Sequence, residues 1–175
     1  MGKQQDVFYE VMSSPIGPIT VAATERGICH VCFGSGPTVF EELGKWAKKL
    51  LDSYRLIGQQ TEWTRQAVEQ LDQYFDGKRT EFTVPMDLYG TDFQKKVWRQ
   101  LQNIPYGQVH AYKDVAVAVG SPKAVRAVGG ANNRNPLSIF IPCHRVIGAN
   151  GSLVGYGGGL EIKTYLLDFE KQIVG

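Results

Sequence analysis

Residues 112–133, YKDVAVAVGSPKAVRAVGGANN, form the stretch that decides the fold of the second half of the chain. The spacing of the alanine and valine residues predicts two short helices separated by Gly120. Ser121 is expected to cap the second helix, and Pro122 to be its first residue. Two short helices around a glycine-containing turn have the form of a helix-turn-helix, although an ordinary αα-hairpin shows the same spacing.

The segments on either side of this stretch predict two further helices and a hairpin. TDFQKKVWRQLQNI (91–104) predicts a helix that is capped by Thr91 and has one apolar stripe. VIGANGSLVGYGGG (146–159) predicts a hairpin with an Asn-Gly turn. LEIKTYLLDFEKQ (160–172) predicts a final helix, packed through Ile162, Tyr165, Leu166 and Phe169.

The first half of the chain shows a different pattern. VFYEVM (7–12), ITVAAT (19–24) and ICHVCF (28–33) are separated by turn residues and predict three strands. Two amphipathic helices are predicted after them, and TEFTVPMDL (80–88) is an edge strand or a linker because its proline cannot donate to a ladder. We therefore place a domain boundary near residues 85–91, with an N-terminal α/β domain over 1–88 and a C-terminal domain over 89–175.

Composition and charge argue against a membrane-spanning protein and against a secreted, disulfide-rich protein. No stretch approaches the length of a membrane span, the N-terminus has no apolar signal core, and three cysteines do not suggest a secreted disulfide framework. A reducing compartment is expected, hence the cytoplasm, or the nucleus in a eukaryote. The net charge is only +2, but residues 93–145 contain eight basic side chains against a single acidic one. Such a segment suits a polyanion, although a solvated helix face gives the same pattern.

The sequence NPLSIFIPCHRVIG (135–148) concentrates the reactive residue types. Pro142 stiffens the approach to Cys143, and His144 and Arg145 place potential positive charge beside the thiol, which would favour the nucleophilic thiolate. A buried structural cysteine beside a solvent-facing His-Arg pair is the alternative interpretation.

These residues resemble the active-site signature of the 6-O-alkylguanine-DNA alkyltransferases, or methylated-DNA–protein-cysteine methyltransferases. The resemblance extends over residues 91–170 and loosely over the N-terminal part. It is carried, in the family's order, by FQKKVW (93–98), IPYGQV (104–109), Tyr112, GSPKAVRAVGGAN (120–132), Asn135, IPCHRVIG (141–148), GYGGG (155–159) and LLDFE (166–170). It implies an α+β protein with a small antiparallel N-terminal sheet with helices, and a helical C-terminal domain with a winged-helix-like helix-turn-helix and an active-site loop.

The resemblance also implies a reaction. Cys143 takes the alkyl group irreversibly from 6-O-methylguanine in double-stranded DNA, and less efficiently from 4-O-methylthymine, once per molecule. His144 receives the thiol proton through a water, and Glu170 orients the histidine, although alone Glu170 fits a solvated helix residue equally well. The carbonyls of Cys143 and Val146 accept from the guanine's amino group. The catalytic set is Cys143, His144, Glu170, Tyr112 and Asn135.

A DNA-binding surface and a substrate pocket follow from the same resemblance. The helix-turn-helix enters the minor groove, and Arg126 replaces a base that is rotated out of the stack. The implied DNA contacts are Arg126, Tyr112, Lys123, Ala124, Ala127, Gly129 and Arg134. The implied substrate pocket consists of Val146, Tyr156, Gly157, Gly158 and Ser138. Gly157 and Ser138 depart from some family members, which have a hydroxyl residue and a proline there.

The remaining expectations concern the oligomeric state, the cofactors and the two N-terminal cysteines. The protein acts as a monomer without a membrane partner and needs no organic cofactor. Animal members hold a zinc ion through cysteines and histidines of separated segments, and the segments KQQDVFYE (3–10) and VPMDLYG (84–90) offer none, so no metal is expected. A DNA-damage sensor or regulator, or a cysteine hydrolase using Cys143 and His144, remains the alternative. Cys29 and Cys32 form a C-x-x-C on a predicted strand, where they are expected to face opposite sides and to be structural.

Overall fold

The computed structural model describes residues 4–175, and the chain divides into two compact units. The first unit extends to Tyr89 and the second covers Gly90–Gly175. The first unit combines a four-stranded sheet with two helices and the second unit is mainly helical, which confirms the predicted α+β class. Residues 1–3, at the start of the predicted first domain, lie outside the described residues. No helix within residues 4–175 is long and apolar enough to cross a bilayer.

The first unit is a sheet with two helices packed on it. Its elements are β1 (Gln5–Met12), β2 (Ile19–Ala23), β3 (Ile28–Phe33), α1 (Pro37–Leu50), β4 (Tyr54–Ile57) and α2 (Glu62–Phe75). The sheet order is β3-β2-β1-β4, with β1–β2 and β2–β3 antiparallel as predicted. The prediction missed β4, which pairs with β1 in parallel, so the sheet is mixed rather than purely antiparallel. The helix α1 provides the crossover that parallel pairing needs.

The apolar faces of the two helices form the core of this unit with the sheet. The helix α1 buries Val39 and Leu43, and α2 buries Ala67 and Leu71. All of the central strand β2 and nearly all of the edge strand β3 are buried. The segment predicted as an edge strand or linker contributes an isolated parallel bridge from Met86 to β3.

The second unit is built around a cluster of helices. Its elements are α3 (Asp92–Leu101), β5 (His110–Ala111), α4 (Tyr112–Ala118), α5 (Val125–Asn133), a 3-10 turn (Cys143–Arg145), β6 (Val146–Ile147) and α6 (Leu160–Val174). Thr91 caps α3 as predicted and forms a reciprocal capping box with Gln94. Trp98 is buried, and its indole N–H donates to the carbonyl of Ala131 over 2.8 Å, which ties α3 to α5.

Two local predictions in this unit were wrong. The second helix of the helix-turn-helix begins at Val125, because Ser121 accepts from the backbone N–H of Ala124 and Pro122 lies in that turn rather than at the first helical position. The Asn-Gly turn is present, with Gly151 at φ 80°. Residues 146–159 do not form the predicted hairpin, because β6 pairs in parallel with β5 and not with the residues that follow the turn.

Candidate active site

A short loop holds Cys143, and Asn135 fixes its shape. The side-chain amide of Asn135 donates to the carbonyl of Ile141 over 2.8 Å, and its oxygen accepts from the N–H of Leu137 over 3.0 Å. Ile139 lies between them with φ 76°, a conformation that is strained for a β-branched residue. The two Asn135 hydrogen bonds hold the loop in this strained shape and so determine where the 3-10 turn begins.

The thiol of Cys143 is buried and therefore protonated at rest. Its residue is 4% exposed, and burial raises the pKa of the thiol. Hydrogen bonds from Asn135 and Ser138 and the positive charge of Lys163 oppose that rise in pKa without cancelling it. The expectation that Arg145 favours a thiolate was wrong, because its charge is directed elsewhere.

Arg145 is paired with Glu170 instead. Its Nε and Nη2 donate to the two carboxylate oxygens over 2.7 and 3.0 Å, and its Nη1 donates to the carbonyl of Ile104 over 2.9 Å. Both partners are buried, so the alternative of a solvent-facing arginine is excluded. The guanidinium also lies 5.5 Å from the ring centre of Tyr106, a cation–π distance.

His144 contacts the same carboxylate. Its Nε2 lies 2.6 Å from Oε2 of Glu170, and both side chains are buried. Burial by itself would raise the pKa of Glu170, but the hydrogen bonds and charges of His144 and Arg145 outweigh it and hold that pKa well below its usual range. Glu170 is thus an ionised acceptor, and His144 Nε2 donates to it. Glu170 is not the solvated helix residue that its position alone would suggest.

The free nitrogen of His144 is available as a base. Burial lowers the pKa of His144, and the charges of Arg145 and Lys163 act in the same direction, against the effect of Glu170. The ring is therefore neutral near pH 7, with its proton on Nε2 and a lone pair on Nδ1. This Nδ1 is buried and has no hydrogen-bond partner within residues 4–175.

Lys163 is a residue of this site that the sequence prediction missed. Its Nζ donates to the carbonyls of Val146, Val154 and Gly155 over 2.7, 3.1 and 3.5 Å. The prediction assigned the packing face of α6 to apolar residues, of which only Leu166 is fully buried. The buried positions are Lys163, Leu166 and Glu170, three and four residues apart. The spacing of Lys163 and Glu170, three residues before and four residues after Leu166, was the signal that could have revealed the buried face of α6.

The predicted substrate pocket lies around the loop that Lys163 holds. Ser138 and Val146 are buried, and the hydroxyl of Tyr156 is buried close enough to Cys143 and Ser138 for both to affect its pKa, which burial raises. Gly157 is exposed and Gly158 half-buried. The carbonyls of Cys143 and Val146 already accept from the N–H of Val146 and from Lys163, so each offers only its second lone pair to a base.

Tyr112 reaches this loop from the first residue of α4. Its hydroxyl donates to the carbonyl of Val154 over 3.1 Å. Asn132 hydrogen-bonds the same hydroxyl, although burial still raises the pKa of Tyr112. The phenol is therefore fixed between α5 and the loop.

The predicted DNA contacts form an exposed surface on the helix-turn-helix. Lys123, Arg126, Ala127 and Arg134 are exposed, and Ala124 and Gly129 are half-buried. A surface cavity of about 610 Å³ separates α5 from the start of α3. Its lining contains three cationic side chains, and the lining residues are Thr91, Phe93, Gln94, Lys123, Ala124, Arg126, Ala127, Gly130, Ala131 and Arg134. These residues are exposed or half-buried, whereas Cys143, His144 and Glu170 are buried.

Comparisons with known proteins show which family the chain is similar to. The family model described as 6-O-methylguanine DNA methyltransferase, DNA binding domain, matches residues 92–172, and its ribonuclease-like domain matches residues 7–88. A methylated-DNA--protein-cysteine methyltransferase of Methanosarcina barkeri is 45% identical over 165 residues, covering 94% of this chain and 98% of that protein. An inducible one of Bacillus subtilis is 49% identical over 152 residues, covering 87% and 83%.

A solved structure extends the likeness to the fold. The crystal structure of Mycobacterium tuberculosis OGT in complex with DNA aligns with a TM-score of 0.78 at 40% identity. The alignment covers 95% of this chain and 94% of that one.

Proposed function

Because the chain belongs to the 6-O-methylguanine DNA methyltransferase family, we propose that Cys143 accepts the alkyl group in the DNA repair reaction that defines this family. The protein is a methylated-DNA–protein-cysteine methyltransferase that repairs alkylated DNA.

One arrangement carries the assignment of the residues. The turn that holds Cys143 also holds His144, whose Nε2 lies 2.6 Å from an ionised Glu170. A neutral histidine oriented by a carboxylate beside a buried thiol is the constellation of an activated nucleophile. Arg145 keeps Glu170 ionised and in place, so the tautomer with the lone pair on Nδ1 persists.

The chemical step balances without any cofactor. The sulfur of Cys143 attacks the alkyl carbon, the new S–C bond forms, and the bond from that carbon to the guanine oxygen breaks. The thiol proton passes through a water to His144 Nδ1. The departing guanine anion takes a proton from solvent to give the normal base, and the imidazolium of His144 returns its proton to solvent. Tyr112 then donates to the departing guanine in place of the Val154 carbonyl that it contacts in the free protein. A thioether is stable, so each molecule acts once.

The location of the thiol supports extrusion of the base. Cys143 is buried, whereas the helix-turn-helix surface is exposed, so an alkyl group in a stacked base pair cannot contact the sulfur. Arg126 is exposed beside the cavity between α5 and α3 and is available to fill the stack after the base has left. We assign 4-O-methylthymine as the weaker substrate, minor-groove docking as the mode of binding and a monomer as the acting form.

A labelling experiment tests the assignment. Duplex DNA that bears radiolabelled 6-O-methylguanine should transfer about one label per protein molecule, because the thioether is irreversible. Cys143→Ala should acquire none, and label on that variant would refute the role of Cys143. Continued turnover of an ester would favour a cysteine hydrolase instead, and full function of Cys143→Ala in cells would favour a damage sensor. Three buried free cysteines suit a reducing compartment, and we propose the cytoplasm.

A further inference from the structure

We infer that His30, Cys32 and Glu42 form a binding site for a thiophilic divalent metal ion, with Zn²⁺ the ion that fits best, between β3 and α1 of the first unit. The imidazole nitrogen, thiol sulfur and carboxylate oxygen of these residues all lie within 4.8 Å of one another. This site departs from the expectation that the protein holds no metal, and it does not include Cys143.

The backbone brings two of the ligands together. His30 and Cys32 are two residues apart on β3, so their side chains share one face of the sheet. Nδ1 of His30 lies 3.4 Å from Sγ of Cys32. In a tetrahedral zinc site, with Zn–S near 2.3 Å and Zn–N near 2.0 Å, these two atoms would be about 3.5 Å apart. The two atoms are therefore already about as far apart as two ligands of one tetrahedral zinc ion.

Packing fixes the orientation of the histidine ring. The ring of Trp46, on α1, meets the ring of His30 edge-on with their centres 4.9 Å apart. His30 and Cys32 are both buried, at 8% and 1% exposure. Because strand pairing and this contact hold them, binding costs little ordering of these two side chains.

Glu42 gives the site an entrance. It is exposed on α1, next to the buried Leu43 that packs the helix on the sheet. Its carboxylate is on a flexible side chain, so a small rotation can bring a carboxylate oxygen into bonding distance of the ion. A water molecule can then take the fourth coordination position. One sulfur, one nitrogen and one carboxylate oxygen favour zinc or cobalt over magnesium or calcium, which prefer oxygen ligands throughout.

Binding exchanges a proton for the metal. The S–H bond of Cys32 breaks, a metal–sulfur bond forms, and the proton leaves to solvent, while His30 coordinates as the neutral imidazole. The buried Cys32 is protonated in the absence of an ion, so it is no nucleophile by itself. The ion would tie β3 to α1 and stabilise the first unit by mass action.

Only Cys32 of the C-x-x-C belongs to the proposed site. The predicted alternation would place Cys29 and Cys32 on opposite faces, but the register shifts opposite Ala22 and Ala23, and both cysteines pack in one apolar cluster. They are nevertheless free rather than bonded. Cys29 is not among the ligand atoms that converge on Glu42.

Cobalt spectroscopy on the full chain tests this inference. Metal-free protein titrated with Co²⁺ should develop a thiolate-to-cobalt charge-transfer band that Zn²⁺ abolishes, and Zn²⁺ alone should raise Tm by a few degrees. The band should disappear in Cys32→Ser and persist in Cys143→Ser. No band and no Tm shift in the unaltered protein would overturn the site, as would a band that survives Cys32→Ser or is lost in Cys143→Ser.

A surface variant keeps the test decisive if Cys32→Ser does not fold. Glu42→Gln removes one ligand from an exposed position and should weaken Zn²⁺ binding roughly tenfold or more. Its matched control is Glu41→Gln, the adjacent exposed carboxylate, which pairs with Lys45 over 3.2 Å and does not face the site. Equal Zn²⁺ affinity in the two variants would overturn the role of Glu42 and with it the three-ligand site.

Discussion

The hydroxyl group of Tyr112 donates a hydrogen bond to the backbone carbonyl of Val154 over 3.1 Å, and this bond connects the first residue of α4 to the loop before α6. The same carbonyl accepts from Lys163 over 3.1 Å. The phenol that we assign to the departing guanine thus holds the loop in the free protein, and binding of the base requires it to change partners.

Removing this hydroxyl should separate catalysis from folding. Tyr112→Phe is expected to lower the rate of alkyl transfer at least tenfold, because the loss of one donor to developing charge costs several kcal/mol. The free energy of unfolding should fall by only about 1 kcal/mol, since Lys163 still holds Val154. Single-turnover kinetics and urea unfolding measure the two quantities. Equal rates for Tyr112→Phe and the unaltered protein would contradict the role of the hydroxyl.

Glu170 is expected to matter for stability as well as for the reaction. In Glu170→Gln the guanidinium of Arg145 stays buried without a counter-charge, so the free energy of unfolding should fall by about 3–5 kcal/mol. Urea denaturation measures the change. Glu161→Gln, an exposed carboxylate on the first turn of the same helix, should change it by less than about 1 kcal/mol.

A double variant checks the cause of that loss. Replacing both partners, as in Arg145→Met with Glu170→Leu, removes the buried charges together and should unfold less easily than Glu170→Gln alone. A double variant less stable than the single one would show that the loss comes from packing rather than from an unpaired charge.

Patterns of local sequence predicted most of the architecture. Three N-terminal strands, the capped α3 and the two short helices followed from apolar spacing and from turn residues, which act over a few neighbours. The pairing of β4 with β1 did not, because a four-residue strand has too short a pattern and its partner lies about fifty residues away in sequence. The start of α5 was misplaced because proline suits a turn and a first helical residue equally well.

The residues of the candidate site were predictable from the sequence, but the partners of its charged side chains were not. Motifs named Cys143, His144 and Glu170, but sequence adjacency suggested that Arg145 acts on the thiol, whereas in three dimensions it binds Glu170. Lys163 was missed because a lysine on an amphipathic helix is normally solvated. Its amine is held by carbonyls of the strand β6 and of the loop before α6, which local periodicity does not encode.

The pH dependence of the rate should show a broad plateau. Burial lowers the pKa of His144 below its ordinary value near 6.5, so the neutral base predominates at that pH and the rate should fall only below it. Burial raises the pKa of Cys143, so the thiol stays protonated above its ordinary range near 8.5 and no rise is expected between about pH 7 and 8.5. The rate of alkyl transfer from a free benzylated guanine, measured in quenched reactions at each pH, is not affected by pH effects on DNA binding. A rate that climbs tenfold per pH unit across this range would indicate a thiolate nucleophile without a base.

Arg126 is expected to act on the duplex and not on the chemistry. Arg126→Ala should slow repair of duplex DNA by one to several orders of magnitude, because unstacking a base costs a few kcal/mol that the inserted side chain offsets. Its reaction with a free benzylated guanine should be unchanged, since the exposed Arg126 lies on the cavity surface and not among the contacts of Cys143. Lys123→Ala, on the same surface, is the matched control. It should weaken DNA binding and reduce the salt slope by about one, while leaving the rate at saturating DNA intact. Comparable losses for Arg126→Ala on both substrates, or an equal effect of Lys123→Ala on the saturated rate, would assign Arg126 to phosphate binding instead of base extrusion.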